Sequence, residues 1–173
     1  MQRRHFMISV AATTAATTAL TGCGFALRKA PEFAFATLFS GLPESSPLGV
    51  ELRRTLQATK KVRVISDPRQ IADAQVVLDV LSDQREKVVL SLNSSGQVRE
   101  FQLRTRFRFR LRTLAGKEVI PETELLLERE INFNESLVLA KEAEELLLYR
   151  DMQSDIVQQL VRRLAAVNKE QLL

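Results

Sequence analysis

Five arginines that recur at every second residue form the pattern in this sequence that most clearly could bind a ligand. They are Arg104, Arg106, Arg108, Arg110 and Arg112. In a β-strand, side chains two residues apart share one face and lie about 6.5–7 Å from each other. A row of guanidinium groups can bind the phosphates of a nucleic acid or of a phosphorylated lipid. Acidic residues of neighbouring strands can equally neutralise it.

The strands on either side of this row favour neutralisation. A four-residue turn at residues 93–96 and a three-residue turn at residues 115–117 would pair the arginine strand with two neighbours. The expected cross-strand pairs are Asp79–Arg110, Asp83–Arg106, Arg110–Glu122, Arg108–Glu124 and Arg104–Glu128. We call these arginines and acids the arginine ladder. Nucleic acid is disfavoured further because no Trp or Tyr lies near the arginines to stack on bases.

A smaller group of basic residues lies toward the turn at residues 93–96. Lys87, Arg99 and Arg104 flank this turn, and Lys141 lies at the start of the last predicted helix. A small cationic cluster at one end of a sheet suits a phosphorylated, acylated ligand better than a nucleic-acid duplex. Scattered surface cations without a ligand are the open alternative.

Residues 1–22 have the organisation of a bacterial export signal. Arg3 and Arg4 precede an uncharged stretch at residues 6–20. This stretch is too short for a membrane-spanning helix, which needs roughly 20 apolar residues. The two arginines leave both the general and the twin-arginine export routes open.

The signal ends in Leu-Thr-Gly-Cys at residues 20–23, which resembles the lipobox of bacterial lipoproteins. The resemblance predicts cleavage before Cys23 and acyl chains on this cysteine, followed by a tether at residues 23–32. Several acyl chains give stable anchoring, whereas one chain gives only marginal binding. Residue 24 is Gly and not Asp, which by resemblance to lipoprotein sorting signals implies the outer membrane as the destination.

The composition leaves few groups for catalysis. The 173 residues include one His, one Cys, one Tyr and no Trp. His5 lies within the predicted signal and Cys23 would be acylated, so the mature chain lacks the residues for a Ser-His-Asp, Cys-His or His-metal site. We therefore predict a protein that is not an enzyme and has no cofactor and no metal. Loss of Arg3 and Arg4 with the signal also reduces the formal net charge of +4.

The elements that must position these residues indicate one domain at residues 33–168, with a C-terminal tail at residues 169–173. An apolar run, a helix that begins at Pro47 and a short strand suggest a crossover unit with some parallel pairing. Three long alternating strands are expected next, followed by one long helix from Asn134 or Ser136 to about Val167. The expected strands are at residues 33–39, 62–65, 76–92, 98–113 and 118–132.

Apolar periodicity predicts the buried faces. One face of the first long strand is expected to carry Val76, Leu78, Val80, Val88, Leu90 and Leu92. The stripe of the long helix that packs on the sheet is expected to be Leu139, Ala143, Leu146, Met152, Ile156, Leu160 and Leu164. The predicted fold is α+β: two helices packed on one face of a four- to five-stranded mixed, mostly antiparallel sheet.

Short motifs along the chain, in this order, resemble the LptE family of lipopolysaccharide-assembly lipoproteins. They are residues 20–28 (LTGCGFALR), Pro47-Leu48, Gly96-Gln97, Glu100-Phe101-Gln102, Ile120-Pro121, Leu139-Ala140-Lys141, Arg150-Asp151-Met152 and residues 159–164 (QLVRRL). None of these motifs is catalytic.

The resemblance implies a plug inside LptD, an outer-membrane β-barrel, that helps assemble the barrel and assists delivery of lipopolysaccharide to the outer leaflet. It also implies lipopolysaccharide binding by basic residues near the hairpin turn and at the start of the last helix. Lys141 matches the second position. Ser94 stands where a family arginine lies, and Arg99 or Arg104 could substitute for that arginine. The expected partners are an LptD-type barrel, lipopolysaccharide and a membrane, and not nucleic acid.

An auxiliary lipoprotein of an ABC-type envelope lipid transporter is the alternative function. Such a protein would share the lipid anchor and the mixture of strands and helices.

Overall fold

A computed structural model describes residues 31–173. The predicted signal peptide, Cys23 and most of the predicted tether lie outside the described residues, so these assignments stay predictions. Among the helices that the structure describes, none is both long and apolar enough to cross a lipid bilayer.

The described part of the chain consists of a short β-α-β unit, then a three-stranded meander and then a long helix. In chain order the elements are β1 (Thr37–Ser40), α1 (Pro47–Ala58), β2 (Arg63–Ile65), a 3-10 helix (Pro68–Asp73), β3 (Val76–Leu92), β4 (Val98–Thr113), β5 (Glu118–Asn132), a second 3-10 helix (Glu135–Leu137), α2 (Val138–Ala165) and α3 (Lys169–Leu172). Helix α1 begins at Pro47, and the Ser46 side chain accepts a hydrogen bond from the Gly49 N–H at 3.3 Å.

The five strands form one mixed sheet in the order β2-β1-β3-β4-β5. Strand β1 pairs in parallel with both β2 and β3, whereas β3, β4 and β5 are antiparallel neighbours. Two parallel neighbours need a crossover between them, and α1 supplies it between β1 and β2. The predicted α+β class with a mixed, mostly antiparallel sheet is confirmed.

Helices α1 and α2 pack on the same face of this sheet. Leu52 and Leu56 of α1 share one buried cluster with Ile156 and Leu160 of α2. The strand residues of this cluster include Leu38, Val76, Leu78, Phe107, Phe109 and Leu111. Full burial of each such side chain contributes about 1.5–3 kcal/mol. A smaller cluster around Phe39 and Val77 covers the other face beside the first 3-10 helix.

Both hairpins close on three-residue loops. The Asn93 N–H donates to the Gln97 carbonyl at 2.8 Å, and the Thr113 N–H donates to the Lys117 carbonyl at 2.8 Å. Gly96 and Gly116 have φ angles of +80° and +94°, which favour glycine. The first loop, at residues 94–96, is therefore one residue shorter than the predicted four-residue turn, and the second, at residues 114–116, begins one residue before the predicted one. Because of bulges in the strands, the expected register still holds for residues 76–80 of β3 and for residues 100–109 of β4 against β5.

A β-bulge at Leu81 interrupts β3. Up to Val80 the register with β4 is the predicted one, including Asp79 opposite Arg110. Beyond Leu81, Asp83 lies opposite Phe107 and not opposite Arg106. One unpaired residue in a strand moves every following side chain to the other face of the sheet. The prediction that Asp83 belongs to the arginine ladder is therefore wrong.

The same bulge changes the apolar pattern of β3. Val76 and Leu78 are fully buried under the helices, but Val88 lies opposite Gln102 on the other face. Val88, Leu90 and Leu92 are each at least 40% exposed and do not continue the buried face. In their place, Arg85 and Lys87 point toward α2.

The buried stripe of α2 also differs from the predicted one. Met152, Ile156, Leu160 and Leu164 are buried as expected, but Leu139 is 81% and Leu146 is 67% exposed, and Ala143 is exposed. From Tyr149 toward the helix start, steps of four residues give Glu145 and Lys141. These charged residues line a groove against the sheet, so the three apolar side chains turn outward.

A polar network joins β3, α2 and α1 through Gln153, which is 8% exposed. The Arg85 guanidinium donates to Gln153 Oε1 at 2.8 Å, and Gln153 Nε2 donates to Glu51 Oε2 at 2.7 Å. The Ser154 hydroxyl donates to Glu51 Oε1 at 2.7 Å. Both carboxylate oxygens of Glu51 are therefore satisfied by donors of α2, which fixes the two helices against each other.

Replacement of Gln153 should destabilise this network. We expect Gln153→Ala to lower the free energy of unfolding by about 1–3 kcal/mol, because it leaves Arg85 and Glu51 without their central partner. Urea unfolding followed by circular dichroism measures this loss. Gln158→Ala is the matched control, since Gln158 is exposed on the same helix. Equal losses in the two variants would contradict a role for the network.

Candidate functional site

The arginine ladder is fully ion-paired. Arg104 Nε lies 2.9 Å from Glu128 Oε1, and Arg106 Nη1 lies 3.2 Å from Glu124 Oε2. Arg108 pairs with Glu122. Because each guanidinium already has a carboxylate partner, this face offers little unpaired positive charge to a polyanion.

Asp79 pairs with both of the last two arginines of the ladder, which leaves this end of the ladder with one positive charge in excess. Its carboxylate accepts hydrogen bonds from Arg110 Nε at 2.9 Å and from Arg112 Nε at 2.8 Å. Partial burial would raise the pKa of Asp79, but the hydrogen bonds and charges of Arg112 and Arg110 outweigh this effect and hold the pKa below its usual value.

Several ion pairs run diagonally and not straight across the strands. Arg108 lies opposite Glu124 in the register, as expected, yet its ion pair is with Glu122. The expected pair Arg110–Glu122 is wrong, because a bulge between Phe109 and Leu111 leaves Arg110 without a direct partner on β5. Long arginine side chains reach diagonal neighbours easily, so register alone does not determine the pairs.

Asp83, displaced from the ladder, lies on the face that carries α2. Desolvation by its surroundings raises the pKa of Asp83, and the charge of Arg85 opposes this shift. It therefore belongs to the helix-facing surface of the hairpin and contributes nothing to the pairing of Arg106.

A groove of about 210 Å³ lies between the far end of the hairpin and the start of α2. It brings together two of the predicted ligand-binding residues, Lys87 and Lys141. The remaining lining residues are Phe101, Ile131, Phe133, Val138, Glu142 and Glu145. We call it the Lys87–Lys141 groove. It combines two ammonium groups with an aromatic and aliphatic floor.

Each lysine of the groove already has a carboxylate partner. Lys87 Nζ lies 2.6 Å from Glu145 Oε2 and 4.3 Å from the centroid of the Phe101 ring. Lys141 Nζ lies 2.8 Å from Glu144 Oε2. An anionic ligand would therefore have to exchange with Glu144 and Glu145 and would bind with an affinity that falls as salt rises.

The end of β5 and the second 3-10 helix position the groove. The Phe133 N–H donates to the Arg99 carbonyl at 2.8 Å and so continues the pairing of β4 with β5. The Phe133 and Phe101 rings then meet edge to face, with centroids 5.3 Å apart. Asn134 caps the 3-10 helix through the Ser136 N–H at 2.9 Å, and this turn directs α2 back over the sheet with Lys141 in its first turn.

The other predicted ligand residues do not line this groove. Arg104 lies on the opposite face of the sheet, paired with Glu128 in the arginine ladder. Ser94 lies in the exposed turn, and the side chain of Arg99 is exposed on β4. The aromatic floor and Glu145 were not predicted. The alternation of β4 and β5 places Phe101 and Ile131 on the helix face and was the available signal.

The groove suits a ligand that is both anionic and apolar. Its ammonium groups can bind phosphate, and its floor can contact hydrocarbon. Residues 31–173 contain no cluster of three or more His, Cys, Asp or Glu side chains arranged to hold a metal ion.

Comparison with known proteins gives one consistent result. Residues 35–164 match the LptE family, described as lipopolysaccharide-assembly. Over 154 residues the chain is 27% identical to the LPS-assembly lipoprotein LptE of Pectobacterium atrosepticum, a match that covers 87% of this chain and 80% of that protein.

Solved structures agree with this match. The solution structure of an uncharacterized lipoprotein B from Nitrosomonas europaea is 34% identical, with a TM-score of 0.69 over 83% of this chain and 91% of that chain. The crystal structure of rare lipoprotein B from Shewanella oneidensis is 21% identical, with a TM-score of 0.62 over 75% of this chain and 94% of that chain, and shares the fold.

The Asp79 pairs predict a pH-dependent contribution to stability. Asp79→Asn should lower the free energy of unfolding by about 0.5–2 kcal/mol at pH 7, because it removes two arginine partners. The pKa of Asp79 is lower in the folded protein, so this contribution is present above the unfolded value of about 3.9 and is lost as the pH falls through the folded value.

Urea unfolding at pH 7, 5 and 3 measures this effect. Asp73→Asn is the control, since Asp73 is exposed and has no ion pair among residues 31–173. If the free energies of unfolding of wild type and Asp79→Asn differ by the same amount at pH 7, 5 and 3, the ionic origin of the effect is refuted.

Proposed function

The chain belongs to the LptE family of lipopolysaccharide-assembly proteins, and from this premise we propose that it is a non-enzymatic lipoprotein of the outer membrane. In this proposal it plugs an LptD-type β-barrel, helps the barrel assemble and assists delivery of lipopolysaccharide to the outer leaflet. The match to the family over residues 35–164 is the observation that carries the proposal.

The paired arginine ladder supports the plug. Large outer-membrane barrels have polar interiors, and a domain enclosed by one must present polar surface without large unpaired charge. The ladder face does so, because each of its arginines has a carboxylate partner. Such a face can lie against a polar barrel wall without the high cost of desolvating unpaired charges.

The Lys87–Lys141 groove supports lipopolysaccharide binding. Lipopolysaccharide is a phosphorylated and acylated glycolipid, and the groove offers ammonium groups beside Phe101, Ile131 and Phe133. We assign the ligand to Lys87 and Lys141, with Arg99 as an exposed cation on the neighbouring strand. Arg104 is removed from this assignment because it belongs to the ladder.

The N-terminal segment completes the proposal. Cleavage before Cys23 and acylation of this cysteine would anchor the protein in the membrane, with residues 23–32 as the tether and residues 33–168 as the folded domain. Gly24 favours the outer membrane as the site of the anchor. The folded domain would then face the periplasm and occupy the barrel lumen.

Affinity purification from detergent-solubilised membranes tests the plug. We expect the tagged protein to recover one large β-barrel protein in equal amount, and an unrelated tagged outer-membrane lipoprotein to recover none. Recovery of an inner-membrane ATPase complex would favour the transporter auxiliary instead. Recovery of neither partner would contradict both functions.

Substitution of the two groove lysines tests the ligand site. We expect Lys87→Ala combined with Lys141→Ala to weaken binding of purified lipopolysaccharide by about tenfold, because two charge-assisted contacts are lost. The control, Lys117→Ala with Lys169→Ala, removes the same charge from exposed positions outside the groove. Unchanged affinity in the groove variant, measured at low salt, would refute this site.

A further inference from the structure

A second groove, of about 540 Å³, lies between α1 and α2 and shares no lining residue with the Lys87–Lys141 groove. Arg54 and Thr55 of α1 face Arg150 and Ser154 of α2 across it, and Pro47 and Val50 form its apolar part. Because the residues come from two helices, the groove depends on the packing of α1 against α2. We call it the Arg54–Arg150 groove.

The two arginines of this groove differ from those of the ladder. Both are exposed, and within residues 31–173 neither lies within 4.0 Å of a carboxylate oxygen or makes a side-chain hydrogen bond. Every ladder arginine, by contrast, has its acid partner. The positive charge of this groove is thus open to an external anion.

The acid that lines this groove is already engaged. Glu51 lines the same groove, but its two carboxylate oxygens accept hydrogen bonds from Gln153 and Ser154, each at 2.7 Å. These donors hold the carboxylate toward α2. The three charged groups of the groove leave a formal excess of one positive charge, with guanidinium forks whose geometry fits phosphate oxygens.

We propose that the Arg54–Arg150 groove binds the phosphate of a lipid headgroup, as a site separate from the Lys87–Lys141 groove. Val50, which is 38% exposed, and Pro47 supply apolar surface beside the arginines, as an amphipathic ligand requires and free phosphate does not. The choice of lipopolysaccharide as the probe rests on the proposed function. The anion site itself rests on the two arginines.

The test compares binding of purified lipopolysaccharide and of inorganic pyrophosphate by three proteins. They are the wild type, Arg54→Gln/Arg150→Gln and the control Arg63→Gln/Arg69→Gln, which removes equal charge from exposed positions outside the groove. We expect the groove variant to bind lipopolysaccharide about tenfold more weakly, and the control to bind as the wild type does. Equal thermal unfolding of the two variants excludes loss of fold as the cause.

The outcomes separate this proposal from the proposed function. Weaker binding in the Arg54/Arg150 variant, with unchanged binding in the Lys87/Lys141 variant, supports this groove and refutes the other one. Lipopolysaccharide binding that is unaffected by loss of the arginines overturns the proposal, even if pyrophosphate binding falls, since the site would then hold free phosphate only. Arg54→Lys/Arg150→Lys should give an intermediate loss, because it keeps the charges but not the planar forks.

Discussion

The extra residue at Leu81 determines which side chains of the long hairpin face the helices. Before it, β3 directs Val76 and Leu78 into the main core, and after it, Arg85 and Lys87 face α2. Tyr149 of α2 uses this change: its hydroxyl donates to the Glu86 carbonyl at 2.8 Å, and its ring lies under the Arg85 guanidinium. The bulge therefore lets polar and aromatic side chains attach the N-terminal half of α2 to the sheet.

This change of face separates two kinds of positive charge. The ladder arginines of β4 stay on the outer face, where acids of β3 and β5 pair with them. Lys87 moves to the helix side and meets Lys141 in the groove. Without the bulge, the Lys87 side chain would lie on the same face of the sheet as the arginine ladder. The ladder face of the sheet thus carries ion-paired charges with five arginines against four carboxylates, while the opposite side holds cations near aromatic rings.

The sequence was sufficient for the fold class and for the ladder as a largely ion-paired surface. Strict alternation from Phe101 to Arg112 and acids two residues apart on β5 leave few alternative registers. It was not sufficient for the bulge, because residues 76–92 alternate acceptably in either register. Nor could it predict that Leu139 and Leu146 are exposed, since their exposure depends on how the part of α2 before Tyr149 lies on the sheet. The ion pairs Arg108–Glu122 and Arg112–Asp79 depend on side-chain reach, which periodicity does not describe.

The central claim is that the bulge at Leu81 places Lys87 under α2 and excludes Asp83 from the ladder. Inter-strand nuclear Overhauser effects in isotope-labelled protein measure this register directly. The account predicts contacts between the backbone protons of Asp83 and Phe107 and between those of Lys87 and Leu103. Contacts of Asp83 with Arg106, and of Lys87 with Gln102, would show an uninterrupted strand, would place Lys87 on the ladder face and would contradict the account.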